Sequence, residues 1–333
     1  MDRSATVMAD AGGQWNIGHA CTRAQCEAGR ADRVAFRWMA PDLTRTDYTF
    51  ADLEAQSNRF ANVLQGLGIV PGDPVFTFLP RMPEQFFAFL GALKARAVVG
   101  PLFSSFVEEA LRDRLGNAKA KCVVTKKSLL RRIRAALPEL PSLSRILLCD
   151  VDEDQDDTVL SLRRLMAEAS ESYETPLTPP DTPSVLHYTS GSTGKPRGVL
   201  HVHESIVPQR QTARDVLGLR DDDVYWCTAD QGWVTGTSYG IIGPWSLGVT
   251  QVHFGGGFDP EAWFTLLQRE RVSVWYSAPT ALRMLMQQEP GFFGQFDLSA
   301  LRHICSVGEP LNPEVIRWCR EVLEREVYDT WFQ

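Results

Sequence analysis

The chain has 333 residues, with 34 Lys and Arg against 41 Asp and Glu, and a formal net charge of -7. This length favours about two folding units of roughly 100–200 residues each, and the negative charge argues against a nucleic-acid partner. Seven scattered cysteines without a Cys-x-x-Cys pair, no signal-peptide pattern and no long apolar stretch lead us to expect a cytoplasmic protein without disulfides, a zinc site or a membrane partner.

The first half of the chain alternates strand and helix patterns. Residues 1–33 have few periodic apolar positions and are expected to form a surface segment, whereas residues 34–175 alternate regularly. Strand patterns occur at 34–38, 47–50, 75–79, 98–99 and 122–125, and helix patterns at 51–68, 83–93 and 107–115. Such spacing is typical of βαβ units and predicts an α/β fold with mostly parallel sheets flanked by helices, with an α+β domain as the alternative.

Two segments interrupt this alternation. The acidic run at 150–157 predicts a solvated loop, because like charges repel and favour water. The Pro-rich stretch 176–183 predicts a linker between a first α/β portion, 34–175, and a second, 184–333.

A strand pattern at 184–188 leads into a Gly-, Ser- and Thr-rich loop. Glycines let backbone N–H groups face a polyphosphate, the hydroxyls add donors, and Lys195 and Arg197 add positive charge. It is not a Walker A loop, since two residues rather than four separate its glycines and Pro196 follows the lysine. A flexible connector is the alternative interpretation of these residues alone.

The string from Tyr188 to Gly198, Y-T-S-G-S-T-G-K-P-R-G, closely resembles the phosphate loop of the adenylate-forming superfamily. That superfamily contains acyl-CoA synthetases, luciferases and nonribosomal-peptide adenylation domains, in which the loop guides the β- and γ-phosphates of ATP. The resemblance implies catalytic roles for Lys195 and Thr193. It implies ATP phosphate contacts from Thr189, Ser190, Gly191, Ser192, Thr193, Gly194 and Lys195. Arg197 stands where a lysine is usual, which preserves the charge but not its geometry.

The segment 226–239 resembles the carboxylate-pocket segment of acetyl-CoA synthetases. By this resemblance Trp233 and Val234 line the acyl pocket, and Thr235 lies where the carboxyl group meets the incoming CoA thiol. Residues 272–280 also look like this family, whereas Arg96 stands where relatives usually carry glycine. Read without the family, the aromatic residues of 226–239 would be assigned to a core.

Two later segments carry the rest of the implied site. In 306–313 the resemblance places Gly308, Glu309 and Pro310 beside adenine and Val307 against the acyl group. The final residues resemble the start of a D-T-W-W-Q-T-E-T-G element. They imply AMP contacts from Asp329, Thr330, Trp331 and Gln333 and a pocket floor at Phe332. The resemblance implies acetate as the substrate. Because Phe332 is smaller than the usual tryptophan, propionate or another short acid is expected as a close competitor.

The resemblance implies that ATP and a carboxylate form an acyl-adenylate, which CoA then attacks. The expected partners are therefore small molecules: ATP with Mg²⁺, a short acid and coenzyme A. In the family the magnesium-binding glutamate and the adenylation lysine follow the position of Gln333, so we expect no metal ligand in these residues and negligible activity from the 333-residue chain alone.

Other interpretations remain open at this stage. One is an ATP- or AMP-binding module that pairs with a separately encoded C-terminal part, and another is the remnant of a truncated gene. A Rossmann dehydrogenase is remote, because no G-x-G-x-x-G opens a helix after a strand. His201 and His203 could share a strand face and bind a metal, but no third ligand is near in sequence and structural histidines are favoured.

Overall fold

The computed structural model describes residues 15–189, 195–289 and 291–330. Within these ranges it contains two seven-stranded, mostly parallel sheets flanked by helices, which confirms the predicted α/β class. The described residues form two compact units. Unit 1 comprises the described part of Met1–Asp32, Phe50–Val207 and Gln231–Val234, and unit 2 comprises that of Arg33–Thr49, Pro208–Asp230 and Thr235–Gln333. The linker at 176–183 stays a prediction about domain boundaries.

The first elements run from the short helices into the hairpin of unit 2 and on into unit 1. They are α1 (Ile17–Cys21), α2 (Arg23–Gln25), β1 (Val34–Met39), β2 (Arg45–Thr49), α3 (Phe50–Gly66), β3 (Pro74–Leu79), α4 (Pro83–Lys94), β4 (Val98–Phe103), α5 (Glu108–Ala118), β5 (Cys122–Thr125), α6 (Lys127–Ala136), β6 (Arg145–Leu148), β7 (Val159–Ser161), α7 (Leu162–Glu168), β8 (Pro183–Thr189) and β9 (Arg197–Val202).

The remaining elements belong mainly to unit 2. They are α8 (Ile206–Asp215), β10 (Val224–Cys227), α9 (Val234–Thr237), α10 (Gly243–Leu247), β11 (Thr250–Phe254), α11 (Pro260–Arg269), β12 (Val274–Ser277), α12 (Pro279–Leu285), β13 (His303–Ser306), α13 (Pro313–Val322) and β14 (Val327–Asp329). No helix in the described ranges is long and apolar enough to cross a membrane.

The sheet of unit 1 has the order β7-β6-β5-β3-β4-β8-β9, and only β9 runs antiparallel to its neighbour. Its inner strands are mostly apolar because helices cover both faces, as Val75, Phe76 and Phe78 of β3 show by being fully buried. In the turn between α4 and β4, Arg96 adopts φ 56°, a left-handed conformation that glycine adopts with less strain. This geometry explains why glycine suits that position.

A buried ionic network joins α3 and α4 in unit 1. Lys94 is fully buried, and its Nζ lies 2.5 Å from a carboxylate oxygen of Glu54 and 2.7 Å from Oδ1 of Asn58. Thr22 donates a further hydrogen bond of 2.6 Å to the same carboxylate. Burial lowers the pKa of Lys94 to about 8. Burial alone would raise the pKa of Glu54, but the Lys94 ammonium and the donated hydrogen bonds lower it on balance.

The sheet of unit 2 has the order β14-β13-β12-β10-β11-β1-β2. It is parallel from β14 to β1, and β2 is antiparallel at the edge. From β10 the chain continues to β11 on one side and then returns to place β12 on the other side. The strand order therefore reverses between β10 and β12, the position where open α/β sheets bind ligands outside the carboxyl ends of their strands.

A buried carboxylate holds the hairpin of β1 and β2 to the rest of unit 2. Glu270, with a side chain 1% exposed, lies 3.3 Å from Arg37 of β1, 2.9 Å from Arg45 of β2 and 2.9 Å from Arg269 of α11. Trp245 adds a hydrogen bond of 3.0 Å from its indole N–H to the carbonyl of Ala35. These contacts attach residues near the start of the chain to a sheet whose other strands come more than 170 residues later.

Candidate functional site

Four strands of unit 2 end in small polar residues at the same edge of the sheet. They are Thr228 after β10, Ser277 in β12, Ser306 in β13 and Thr330 after β14, and we call them the polar strand ends. The hydroxyls of Thr228 and Ser277 lie 2.8 Å apart. Ser306 donates to the carbonyl of Ser277 at 2.8 Å, and Thr330 donates to the carbonyl of Ser306 at 3.0 Å. The polar strand ends thus form a continuous line that crosses the reversal point between β10 and β12.

Tyr276 holds Thr330, the last residue of this line, in position. Its hydroxyl lies 2.6 Å from Oγ1 of Thr330 and donates to it, since the threonine hydroxyl itself donates to Ser306. Both residues are buried, and burial raises the pKa of Tyr276 above its usual range. The phenol therefore stays protonated and holds Thr330 in one orientation.

Gly308 and Glu309 follow β13 at this edge. Gly308 has φ 108°, and a Cβ at this position would have open space around it, so the requirement for glycine is conformational rather than steric. Glu309 then accepts hydrogen bonds from the backbone N–H of Thr280 at 3.0 Å and from Arg283 at 2.5 Å, and also from the Thr280 hydroxyl. The hydrogen bond from Thr280 and the guanidinium of Arg283 lower the pKa of Glu309, which keeps it ionised.

Other predicted pocket residues have clear positions within unit 2. Val307 lies between Ser306 and Gly308 and is 9% exposed. Asp329 pairs in register with Ser306, one residue before Thr330, and is exposed. Pro310 is exposed beside Glu309, whereas Thr235 is buried in α9. Unit 2 therefore brings Val307, the 308–310 turn and residues 329–330 together at one edge.

The remaining predicted residues belong to unit 1 or lie outside the described ranges. Thr189 ends β8 and Lys195 precedes β9, and both are exposed. Trp233 is 61% exposed, with its ring edge-on to Phe103 at a centroid distance of 4.8 Å, and Val234 is half-buried. Ser190, Gly191, Ser192, Thr193, Gly194, Trp331, Phe332 and Gln333 lie outside the described residues. Their assigned roles stay predictions.

Within the described ranges, neither His201 and His203 nor any acidic cluster forms a metal centre. No group of three or more His, Cys, Asp or Glu side chains there could hold a metal ion. His203 is buried, and its Nδ1 accepts a hydrogen bond of 3.0 Å from the backbone N–H of Ile17. The ring of His201 lies 5.9 Å from that of His187.

Several site residues were not anticipated from the sequence. Thr280 and Arg283, which hold Glu309, are four and seven residues beyond Tyr276 in the segment 272–280 and the helix after it. A signal was present, because Ser or Thr stands at the end of each of the four strands, and parallel strands place such ends on one edge. Of these four regions, however, only 272–280 has a strand pattern that the sequence analysis recognised. Without knowledge of the strand order, these Ser and Thr residues could not be assigned to one continuous line.

Comparisons with known proteins identify the family of this chain. The family model described as AMP-binding enzyme matches residues 22–333. The acetyl-coenzyme A synthetase of Bacillus subtilis is 44% identical over 322 residues, which cover 96% of this chain and 56% of that protein. The acetyl-coenzyme A synthetase of Rubrobacter xylanophilus is 38% identical over 97% of this chain and 53% of that protein.

A solved structure supports the same relationship. The crystal structure of the Brucella canis acyl-CoA synthetase superposes with a TM-score of 0.86 at 33% identity, covering 94% of this chain and 57% of that one. The chain thus spans about half the length of the curated relatives it matches.

Proposed function

Because this chain belongs to the AMP-binding enzyme family, we propose that it supplies the nucleotide- and carboxylate-binding part of a ligase that converts acetate, or a similar short acid, to acyl-adenylate and then to acyl-CoA. The observation that carries the proposal is the line of polar strand ends at the reversal point of unit 2, with Val307 and an ionised Glu309 beside it. The names of the relatives supply the choice of reaction within the family.

In this proposal the turn after β13 receives the nucleotide. Gly308 leaves open space over the backbone, so the flat face of adenine can approach the peptide planes without meeting a side chain. Glu309 cannot swing into that space, since Thr280 and Arg283 hold both of its carboxylate oxygens. Asp329 and Thr330 present polar groups at the next strand end for the remaining part of AMP.

The chemical step requires two anions, the carboxylate and the ATP phosphates, to approach each other. The carboxylate oxygen is itself the nucleophile toward the α-phosphate, so the protein must supply orientation and positive charge rather than a nucleophilic side chain. We assign the charge to Lys195 and the donors to the hydroxyls of residues 189–193. Mg²⁺, when bound, would neutralise further phosphate charge.

Acid length is set in this proposal by the residues assigned to the acyl pocket. Val307 is buried next to the polar strand ends, so an acyl group placed there meets a branched apolar side chain. The resemblance also assigns Trp233, Val234, Thr235 and Phe332 to recognition of the acyl group, with Thr235 facing the CoA thiol. Discrimination against one additional methylene is worth only about 1–3 kcal/mol, so propionate is expected to compete with acetate.

Calorimetric titration of the 333-residue polypeptide tests the nucleotide site directly. We expect AMP to bind with a Kd below 1 mM and an acetyl-AMP analogue to bind more tightly than the propionyl and butyryl analogues. The variant Glu309→Gln should weaken AMP binding. Glu326→Gln provides the matched control, because Glu326 also pairs with an arginine, at 2.6 Å from Arg320, away from the 308–310 turn. No binding of any adenine nucleotide at millimolar concentration would refute the proposal.

For the polypeptide of these 333 residues taken alone, we propose nucleotide binding without turnover. The described residues offer no acidic cluster for a metal, and the resemblance assigns the magnesium glutamate and the adenylation lysine to positions after 333. Acetate-dependent formation of AMP by this polypeptide, above a no-acetate control, would contradict the proposed absence of turnover. The proposed nucleotide-binding site would not be contradicted by that result.

A further inference from the structure

Unit 1 contains a cavity that the proposed ligase reaction does not use. Its volume is about 350 Å³, and it lies among α3, α4, α7 and the loop after β6. Phe60, Phe87, Leu162 and Met166 provide apolar walls, and Glu84 provides a carboxyl group. This size and mixture are typical of small-molecule pockets, which combine apolar walls with a few oriented polar groups.

The cavity occupies the ligand-binding edge of its own sheet. Glu84 follows β3, Cys149 follows β6 and Leu162 follows β7, and these strands run parallel in the neighbouring order β3-β5-β6-β7. Their carboxyl ends therefore meet at one edge. The strand order of unit 1 also reverses between β3 and β5, so the cavity lies near the second switch point in the chain.

Glu84 is the acidic residue that lines this cavity. Its Oε2 is buried and has no hydrogen-bond partner among the described residues. Burial raises the pKa of this carboxyl group, because the apolar surroundings disfavour its charged form. A buried acceptor left unpaired destabilises the folded chain, and a ligand that donated a hydrogen bond here would recover part of that cost.

The cationic side chains at the cavity already have acidic partners. Arg59 lies 2.7 Å from Glu171 and donates at 2.6 Å to the carbonyl of Met166. Arg163 lies 2.9 Å from Asp152. Both guanidinium groups thus have acidic partners, although Nε of Arg59 is buried without a hydrogen-bond partner. We therefore expect Glu84, which forms no ion pair among the described residues, to select the charge of the ligand.

We propose that this cavity binds a small molecule with an apolar body and a protonated amine head, which donates hydrogen bonds to Glu84 while Phe60, Phe87 and Met166 pack against the body. The site goes beyond the proposed ligase reaction and involves no covalent step. An ammonium group would donate a hydrogen bond to the buried Oε2 of Glu84, which has no partner among the described residues, and an aromatic ring with a two-carbon chain is compatible with the volume.

Two probes of equal shape and opposite charge test this proposal. Phenethylamine and 3-phenylpropionate carry the same ring and a two-carbon chain, and their binding to the 333-residue polypeptide can be measured by calorimetry at pH 7.5. We expect the amine to bind at least ten times more tightly than the acid. Glu84→Gln should weaken amine binding at least tenfold, whereas Glu168→Gln should not. Glu168 loses the same charge but pairs with Arg164 on the exposed side of α7.

A second variant leaves Glu84 in place and blocks the entrance. Ala167 is exposed and lines the cavity, so Ala167→Trp adds a ring at its rim without disturbing the core, and this variant should abolish amine binding. Equal binding of the two probes, unchanged amine binding in Glu84→Gln, persistence of binding in Ala167→Trp, or no amine binding at millimolar concentration would each overturn the proposal. If Glu84→Gln does not fold, the Ala167→Trp comparison decides the question.

Discussion

Replacing Lys94 by methionine tests the buried network between α3 and α4. Methionine matches the length of the lysine stem but removes the ammonium group that Glu54 and Asn58 contact. Breaking a buried ion pair by removing one partner typically costs about 3–5 kcal/mol, because the other charge remains uncompensated. Glu54 is 13% exposed and keeps its hydrogen bonds from Thr22 and Asn58, so we expect the lower end, about 3 kcal/mol.

The double variant separates the effect of losing the ion pair from the effect of losing side-chain packing. Adding Glu54→Gln to Lys94→Met removes the stranded charge, and we expect it to recover about 2 kcal/mol of the loss, since a buried pair replaced as a whole is often close to neutral. If the double variant is as unstable as the single one, or if Lys94→Met costs less than about 1 kcal/mol, the reasoning is refuted.

The same network predicts a pH dependence. Burial lowers the pKa of Lys94 from its ordinary 10.5 to about 8. Between these values the unfolded chain retains the proton that the folded chain has released, so the free energy of unfolding should rise with pH through this window. The rise amounts to at most about 3 kcal/mol, and Lys94→Met should lack it.

Urea unfolding followed by circular dichroism at pH 7, 9 and 10 measures all of these effects. Arg164→Met provides the matched control, because Arg164 forms exposed ion pairs with Asp154 and Glu168 at 2.7 and 3.0 Å. Such surface pairs contribute about 0–1 kcal/mol, so this variant should unfold nearly like the parent at every pH.

Three further substitutions are expected to change stability by calculable amounts. Arg96→Gly should stabilise the chain by up to about 1 kcal/mol in thermal unfolding, because the left-handed backbone strain at φ 56° exceeds the entropic cost of glycine; a lower midpoint would contradict this. Gly308→Ala should cost about 1–2 kcal/mol through its φ of 108°, whereas Gly257→Ala, equally open but without positive φ, should cost much less. Thr330→Val should cost about 1–3 kcal/mol by stranding the buried hydroxyl of Tyr276, and adding Tyr276→Phe should return most of it; equal stability of the single and double variants would argue against that hydrogen bond.

Much of the fold could be predicted from the sequence because its signals are local. The apolar strand predicted at 75–79 and the helix patterns at 51–68 and 83–93 correspond to β3, α3 and α4 within two residues at each end. Continuous apolar strands followed by helices reflect burial on both sheet faces, which requires no knowledge of distant contacts. The turn at Gly308 could also be anticipated, since glycine before Glu309-Pro310 ends a strand.

Long-range pairing could not be predicted in this way. Nothing in residues 34–49 indicates that β1 pairs with β11, since the apolar pattern of a strand does not specify its neighbour. The contacts of Arg283 and Thr280 with Glu309 likewise depend on β12 and β13 lying side by side. For the same reason the unpaired carboxyl group of Glu84 could not be recognised among many exposed acids before the position of Cys149 and Leu162 was known.

The pairing of β1 with β11 also bears on how the protein is made. Phe36 lies opposite Gln251, so 215 residues must be synthesised after the first strand before its neighbour exists. At about 5–20 residues per second, the ribosome needs roughly 10 to 40 s for that interval. Throughout it Phe36 and Met39, both fully buried in the finished protein, have no sheet to join. The nascent hairpin is thus a foreseeable binding site for chaperones that recognise exposed apolar strands, and delays in translation between β2 and β11 should lower the yield of correctly folded protein.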